Sequence, residues 1–163
     1  MAKRRKKKLA PVIHLSTGPL PTRLAADFAD TPLVFSDASH LRHGGLAAVL
    51  FADHESAADI RTRSVASEGS NTLELRAALF ALGEAWQAFA ARPFVLFSDN
   101  QDAVSRLQQA QQNGLAQDQA LGALASNDEL PHILAAARIR WIKSHASCRG
   151  NALADEHARL AAS

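Results

Sequence analysis

The stretch that decides the fold is residues 33–39, Leu-Val-Phe-Ser-Asp-Ala-Ser, where an apolar run ends on Asp37. Such a run is typical of a buried strand, and a carboxylate at its end is costly to bury unless a cation or a hydrogen-bond donor compensates it. Residues 94–99, Phe-Val-Leu-Phe-Ser-Asp, repeat the pattern and end on Asp99. The two stretches together predict an acidic site built from strand ends.

The apolar pattern around these stretches predicts an α/β domain of order β-β-β-α-β-α-α-β-α, with helices flanking one five-stranded mixed sheet. A loop containing Gly44 and Gly45 is expected before the second strand. The predicted strands span residues 33–39, 46–51, 60–66, 93–98 and 138–143, and the predicted helices or helix-rich segments span residues 72–90, 99–112, 115–137 and 151–162.

Residues 1–31 are expected to form a flexible basic tail and linker, and residues 32–163 the folded domain. Residues 3–8 read Lys-Arg-Arg-Lys-Lys-Lys; without them 12 Lys and Arg stand against 16 Asp and Glu, so the body carries a formal charge of −4. Six like charges in a row repel one another and can bind phosphate backbones without reading sequence. A solubility or localisation tail is an equally good interpretation.

Size and composition limit the class of protein. A chain of 163 residues fits one domain, its single cysteine, Cys148, cannot form an intrachain disulfide, and no long apolar run suggests a membrane span. We therefore expect a soluble monomer in the cytoplasm, or in the nucleus if the source is eukaryotic, with no membrane partner.

Two further acidic residues, Glu74 and Asp155, interrupt apolar stretches. Each acidic residue has an ordinary structural explanation. Asp37 can be a plain turn residue, and Glu74 can complete a capping box with Asn71. Asp99 can favour a helix start through the macrodipole, and Asp155 can pair with Arg159 one turn later.

The joint pattern favours a metal site. Adjacent strands lie about 4.8 Å apart, so Asp37 and Asp99 converge if the first and fourth strands are neighbours. Like charges about 4 Å apart repel by roughly 4 kcal/mol at a moderate effective dielectric, so convergence without a cation is unfavourable. Oxygen-only ligands select hard ions such as Mg²⁺ or Mn²⁺, and two such ions form a clamp for displacement at phosphorus.

Successive motifs along residues 33–162 resemble those of type 1 ribonuclease H. The motifs appear in the order of that family with compatible gaps between them. They are Ser36-Asp37-Ala38-Ser39, Gly44-Gly45-Leu46-Ala47-Ala48-Val49-Leu50, Asn71-Thr72-Leu73-Glu74-Leu75-Arg76-Ala77-Ala78, Phe97-Ser98-Asp99-Asn100, Trp141-Ile142-Lys143-Ser144-His145 and Asn151-Ala152-Leu153-Ala154-Asp155.

The resemblance implies a ribonuclease H-like fold in which Asp37, Glu74, Asp99 and Asp155 hold two Mg²⁺ or Mn²⁺ ions. It also implies that His145 is the loop histidine that helps protonate or release product. The implied reaction is hydrolysis of the RNA strand of an RNA·DNA hybrid, leaving a 5′-phosphate and a 3′-hydroxyl.

The resemblance further implies that Asn71, Asn151 and Ser39 lie on the substrate side of the site. The chain departs from the family in reading Asp-Ala-Ser, not Asp-Gly-Ser, at residues 37–39, and residues 107–137 contain no Lys or Arg, so the basic protrusion of some members is absent. The positive charge of residues 3–8 is a candidate replacement.

Two other classes of function stay open from the sequence. One is a transposase-, resolvase- or exonuclease-like nuclease of the same superfamily, and the other is a catalytically weak domain that binds nucleic acid. The four carboxylates in order, with His145 and the spacing from Asn151 to Asp155, favour the hybrid-specific endonuclease.

Overall fold

The computed structural model describes residues 18–125, 128–143 and 148–163. Short 3₁₀ turns lie at Ala26–Phe28 and Leu115–Gln117. The strands are β1 (Leu33–His40), β2 (Gly44–Phe51), β3 (Asp59–Val65), β4 (Phe94–Ser98) and β5 (Ala137–Trp141), and the helices are α1 (Thr22–Ala25), α2 (Ser70–Ala88), α3 (Gln101–Asn113), α4 (Gln119–Leu124), α5 (Leu130–Ala136) and α6 (Arg149–Ala162).

The five strands form one mixed sheet in the order β3-β2-β1-β4-β5. β1, β2 and β3 pair antiparallel, whereas β1 with β4 and β4 with β5 pair parallel. The predicted five-stranded mixed sheet with flanking helices is confirmed. Within the described residues, no helix combines the length and apolar character that a membrane span requires.

The two largest apolar cores in the described residues lie on opposite faces of this sheet because side chains alternate along each strand. In β1, Val34 packs with α2 and α3 in the first core. Its neighbours Leu33 and Phe35 pack with Val95 and with Ala154 of α6 in the second core. The central strands are buried on both sides, so the ends of β1 and β4 are the places where polar side chains emerge.

The segment expected to be a linker contributes to the second core. Leu20 is 1% exposed, and Phe28 packs edge-on against Phe97 with 5.4 Å between the ring centroids. The backbone N–H of Gly150 donates to the carbonyl of Pro19 at 3.1 Å. The proline-rich composition hid this packing, which among the described residues of the segment rests on Leu20 and Phe28.

Gly44 and Gly45 were expected in a loop, but they are the first residues of β2. A β-carbon on Gly44 would lie 2.7 Å from the side chain of Leu73, and one on Gly45 would lie 2.1 Å from the carbonyl oxygen of Ala158 in α6. These glycines are required by close approach of two helices and not by a turn.

Candidate metal centre

The parallel pairing of β1 and β4 brings two of the predicted acidic residues to one edge of the sheet. Ser36 lies in register with Ser98, so Asp37 and Asp99 follow at the same level. Asp37 is the fifth residue of β1, while Asp99 lies in the turn before α3. The first and fourth strands are therefore neighbours, as the predicted convergence of Asp37 and Asp99 requires.

Helix α2 supplies the third carboxylate. Asp37, Glu74 and Asp99 each offer an oxygen atom, and these atoms lie within 4.8 Å of one another. The alternative of a capping box is wrong, because α2 begins at Ser70 with Gly69 at its N-cap and no side chain caps it. Glu74 is thus free to point at the strand ends.

Burial makes this acidic group electrostatically unfavourable by itself. Asp37 is 5% exposed, and its Oδ1 accepts a hydrogen bond from the backbone N–H of Ala38 at 2.9 Å. Burial, followed by the charge of Asp99, raises the pKa of Asp37 to about 7. Burial, followed by the charge of Asp37, raises the pKa of Glu74 to about 9. Each carboxylate therefore resists ionisation while its neighbours are charged.

One oxygen of the acidic group is unpaired as far as the described residues go. Glu74 Oε2 is buried and has no hydrogen-bond donor among the described residues. Leaving a buried polar atom unpaired costs about 1–3 kcal/mol, and more for a charged one. A hard divalent cation fits such a group of oxygen ligands, since it would compensate both the repulsion and the unpaired oxygen. The three residues form a candidate metal-binding group.

Asp155 lies near this group but outside the set of three. Its carboxylate is half-exposed and sits 3.3 Å from the guanidinium of Arg159, as the ordinary explanation expected. Its negative charge nevertheless contributes to the raised pKa of Asp37. Asp155 is therefore close enough to act electrostatically on Asp37, and it also forms an ion pair with Arg159 of the same helix.

An asparagine pair links the helices that start beside the acidic group. Asn100 Nδ2 lies 3.4 Å from Asn71 Oδ1, and Asn100 Oδ1 caps α3 by accepting from the Ala103 N–H at 2.8 Å. Asn71 was expected near the substrate, whereas the role of Asn100 was missed. The available signal was an asparagine directly before a helix, which is the preferred N-cap type.

The other predicted site residues are less closely joined to the acidic group. Asn151 is 4% exposed in the first turn of α6. Ser39 is partly exposed near the end of β1, opposite Gly45. His145 lies outside the described residues.

Trp141 is a second residue that sequence reasoning did not single out. Its side chain is 44% exposed, and its indole N–H donates to the backbone carbonyl of Asp99 at 3.1 Å. The signal available in the sequence was its place as the first residue of the motif Trp141-Ile142-Lys143-Ser144-His145. Its contact puts an exposed aromatic side chain beside the acidic group.

The sequence model of the RNase H family matches residues 30–163. Curated proteins gave no match. Similar solved structures include the N-terminal RNase H domain of rv2228c from Mycobacterium tuberculosis, with a TM-score of 0.62 and 19% identity over 81% of this chain and 93% of that chain. RNase H1 from Halobacterium salinarum NRC-1 has a TM-score of 0.60 and 18% identity over 80% of this chain and 96% of that chain.

A third similar structure is LC11-RNase H1, isolated from compost by a metagenomic approach and solved in complex with an RNA/DNA hybrid. It has a TM-score of 0.54 and 13% identity over 78% of this chain and 93% of that chain. These likenesses confirm the fold, and the match of the family model from residue 30 to residue 163 shows that this chain belongs to the RNase H family.

Proposed function

We propose that this protein is a metal-dependent endoribonuclease that hydrolyses the RNA strand of RNA·DNA hybrids. The observation that carries the proposal is the buried convergence of Asp37, Glu74 and Asp99 with the unpaired Oε2 of Glu74. Membership of the RNase H family supports a nuclease, and a relative of the same fold has been solved with an RNA/DNA hybrid.

Four side chains would hold the metal: Asp37, Glu74, Asp99 and Asp155. Two Mg²⁺ or Mn²⁺ ions bound there would supply charge stabilisation for attack of water on phosphorus and for departure of the 3′ oxygen. The products would be a 5′-phosphate and a 3′-hydroxyl. The chain's own contribution is to orient the carboxylates, which the Ala38 N–H does for Asp37 and Arg159 does for Asp155.

Recognition of RNA requires a group that reads the 2′-hydroxyl, the atom that separates RNA from DNA. Asn71 and Asn100 are candidates, because each amide has both donor and acceptor atoms beside the acidic group. Ser39 and Asn151 stay candidates for substrate contacts. His145 has the imidazole chemistry to move a proton near neutral pH, where it would aid product release.

The proposal is tested with labelled RNA·DNA hybrid, double-stranded RNA and duplex DNA, each incubated with Mg²⁺, Mn²⁺ or chelator. We expect cleavage of only the hybrid's RNA strand, dependent on metal. Asp99→Asn removes one ligand charge at nearly constant shape, and we expect it to lower the rate by about a hundredfold or more, because the lost metal contact supplies several kcal/mol. Glu55→Gln, an exposed carboxylate outside the acidic group, is the matched control.

Three outcomes would contradict the proposal. Cleavage that survives in chelator would reject the metal mechanism. Cutting of duplex DNA would favour a nuclease of the transposase, resolvase or exonuclease type. Hybrid binding without any cleavage would favour a catalytically weak binding domain.

We also propose that the cationic residues 3–8 hold nucleic acid near the acidic site. The described chain starts at Gly18, and Pro19 accepts a hydrogen bond from Gly150 in the first turn of α6, the helix that carries Asp155. The ten residues from position 8 to position 18 span at most about 35 Å, which sets the greatest distance between Lys8 and Gly18.

Deletion of residues 1–8 should raise the apparent KM for the hybrid and flatten its salt dependence. Each phosphate contact that is lost reduces the slope of log affinity against log salt by about 0.9 for a B-form duplex. Replacing residues 3–8 by six Ser or Gly residues keeps the length as a control for truncation. An unchanged salt slope in both variants would contradict the role of the tail.

A further inference from the structure

Trp141 is one of the exposed large apolar side chains in the described part of the chain, and its position is unusual. It lies in register with Ser98, the residue before Asp99, and its indole N–H is satisfied by the Asp99 carbonyl at 3.1 Å. The ring is thus fixed next to the acidic group with its polar atom paired. What stays accessible is aromatic surface, which every nucleobase can stack on.

Two arginines share the strand with this ring. Arg138 and Arg140 are both exposed and, two residues apart, they project from one face of β5. Trp141, at the end of the strand, lines the same cavity as both arginines. The Arg138 guanidinium lies 4.9 Å from the centroid of the Phe28 ring and 3.4 Å from Thr31 Oγ1. Neither arginine has an ion-pair partner in residues 18–125, 128–143 or 148–163. Their charges are available to a ligand.

Strand β5 is held rigidly although it lies at the sheet edge. Gln108 and Gln111 of α3 donate their side-chain amides to the carbonyls of Ile139 and Ala137 at 2.8 Å and 2.7 Å. The backbone N–H of Ile142 donates to the Ser98 carbonyl at 2.9 Å. The strand that carries Trp141 and the arginines is therefore pre-organised on both sides, which lowers the entropic cost of binding.

A cavity of about 360 Å³ opens beside these residues, lined by Arg138, Arg140 and Trp141 together with Phe28 and Phe97. Asp27 also lines the cavity, so the two arginines and this one carboxylate give its lining a net charge of +1. Its walls combine aromatic surface with guanidinium groups. This is the chemistry that binds a nucleic-acid strand without reading its sequence.

We propose that Arg138, Arg140 and Trp141, here called the β5 platform, bind the strand whose scissile phosphate occupies the acidic group. One base stacks on Trp141 and the neighbouring phosphates pair with the arginines. The contact of Trp141 with Asp99 favours a nucleic-acid strand over an acidic peptide, because a strand on the platform is next to the carboxylates of the acidic group. The inference rests on the proposed function and names an additional substrate contact for it.

The first test uses Trp141 as its own reporter. The chain contains two tryptophans, so Trp86→Phe leaves Trp141 as the single fluorophore. Titration with hybrid in Ca²⁺, with gel analysis to verify that the hybrid stays intact, should quench the emission and reduce quenching by acrylamide. Emission and acrylamide access that do not change at saturating hybrid would overturn the stacking.

The second test compares two charge reversals. Arg140→Glu should weaken hybrid binding by about tenfold or more and reduce the salt slope by about 1. Arg92→Glu reverses an exposed arginine before the opposite end of β4 and should change affinity less than twofold. Trp141→Leu should weaken binding by about 5- to 100-fold, the range for loss of one stacked base.

Melting curves of each variant show whether the fold is retained. Wild-type affinity in both folded Arg140→Glu and Trp141→Leu would overturn the platform, as would binding of polyglutamate in preference to hybrid. The cleavage assay separates the two proposals. If the protein cleaves hybrid but the platform variants bind it as tightly as wild type, the platform is rejected and the proposed function stands. If hybrid binding depends on the platform but no cleavage occurs, the proposed function is rejected and the platform stands.

Discussion

Glu74→Gln should make the metal-free protein more stable while removing most of its metal-dependent cleavage. The carboxylate is buried against Asp37 and Asp99, and its Oε2 has no hydrogen-bond donor within the described residues. Near pH 7 Glu74 must take up a proton when the protein folds, whereas a glutamine of the same shape is neutral in both states and can donate its amide to Asp37. We expect a gain of about 2 kcal/mol near pH 7, or roughly 4–8 °C in Tm, for a domain of this size.

The pH dependence of stability gives the sign of the effect. The pKa of Glu74 is raised in the folded protein from 4.5 to about 9, so between these pH values the folded state binds more protons than the unfolded state. The free energy of unfolding of the metal-free wild type should therefore fall as the pH rises from about 5 towards 9. In Glu74→Gln this slope should be flatter, because the residue no longer titrates.

Added Mg²⁺ should reverse the order of stability. A cation that binds only the folded state stabilises it by about 2.7 kcal/mol at 100 times its dissociation constant, and Glu74→Gln should gain less than the wild type. Thermal melts in chelator and in Mg²⁺ measure both effects, with Glu55→Gln as a charge-matched exposed control. A Glu74→Gln variant less stable than wild type in chelator would show that repulsion is not the dominant feature of the site.

The part of the site that the sequence predicted well is the part that depends on strand order. Apolar runs that end on Asp37 and Asp99 indicate strands. The convergence of the two carboxylates required those strands to be neighbours, and the parallel register of Ser36 with Ser98 meets that condition. Asp155 shows the opposite case. Its spacing to Arg159 predicted an ion pair and its motif predicted a place near the metal, and the two are compatible in the structure.

Features set by contacts between distant segments could not be predicted. Leu20 and Phe28 looked like isolated apolar residues of a linker, yet they fill the core beneath Phe97. The exposure of Trp141 depends on what the neighbouring elements leave uncovered, which no local pattern encodes. Asp99 and Asn100 are both preferred N-cap types, so the sequence does not decide which of them caps the helix, and the structure gives that role to Asn100.

Gly45→Ala should destabilise the protein by more than about 3 kcal/mol, a large share of the 5–15 kcal/mol that stabilises a typical domain. A β-carbon at this position would lie 2.1 Å from the Ala158 carbonyl oxygen and 2.6 Å from the Ala162 backbone nitrogen. Both atoms belong to the backbone of α6, so no side-chain rotation can relieve the clash. Either β2 or α6 must move.

Movement of α6 would also displace Asp155 and Asn151, so any folded Gly45→Ala protein should need more Mg²⁺ for cleavage. Gly122→Ala adds the same methyl group in α4, where nothing lies within 4 Å, and should stabilise by about 0.5–1 kcal/mol through helix propensity. Urea denaturation of both variants measures the difference. Equal stability of the two variants would mean that α6 can shift away from β2 at little cost in free energy. The contact at Gly45 would then not be what holds Asp155 near Asp37.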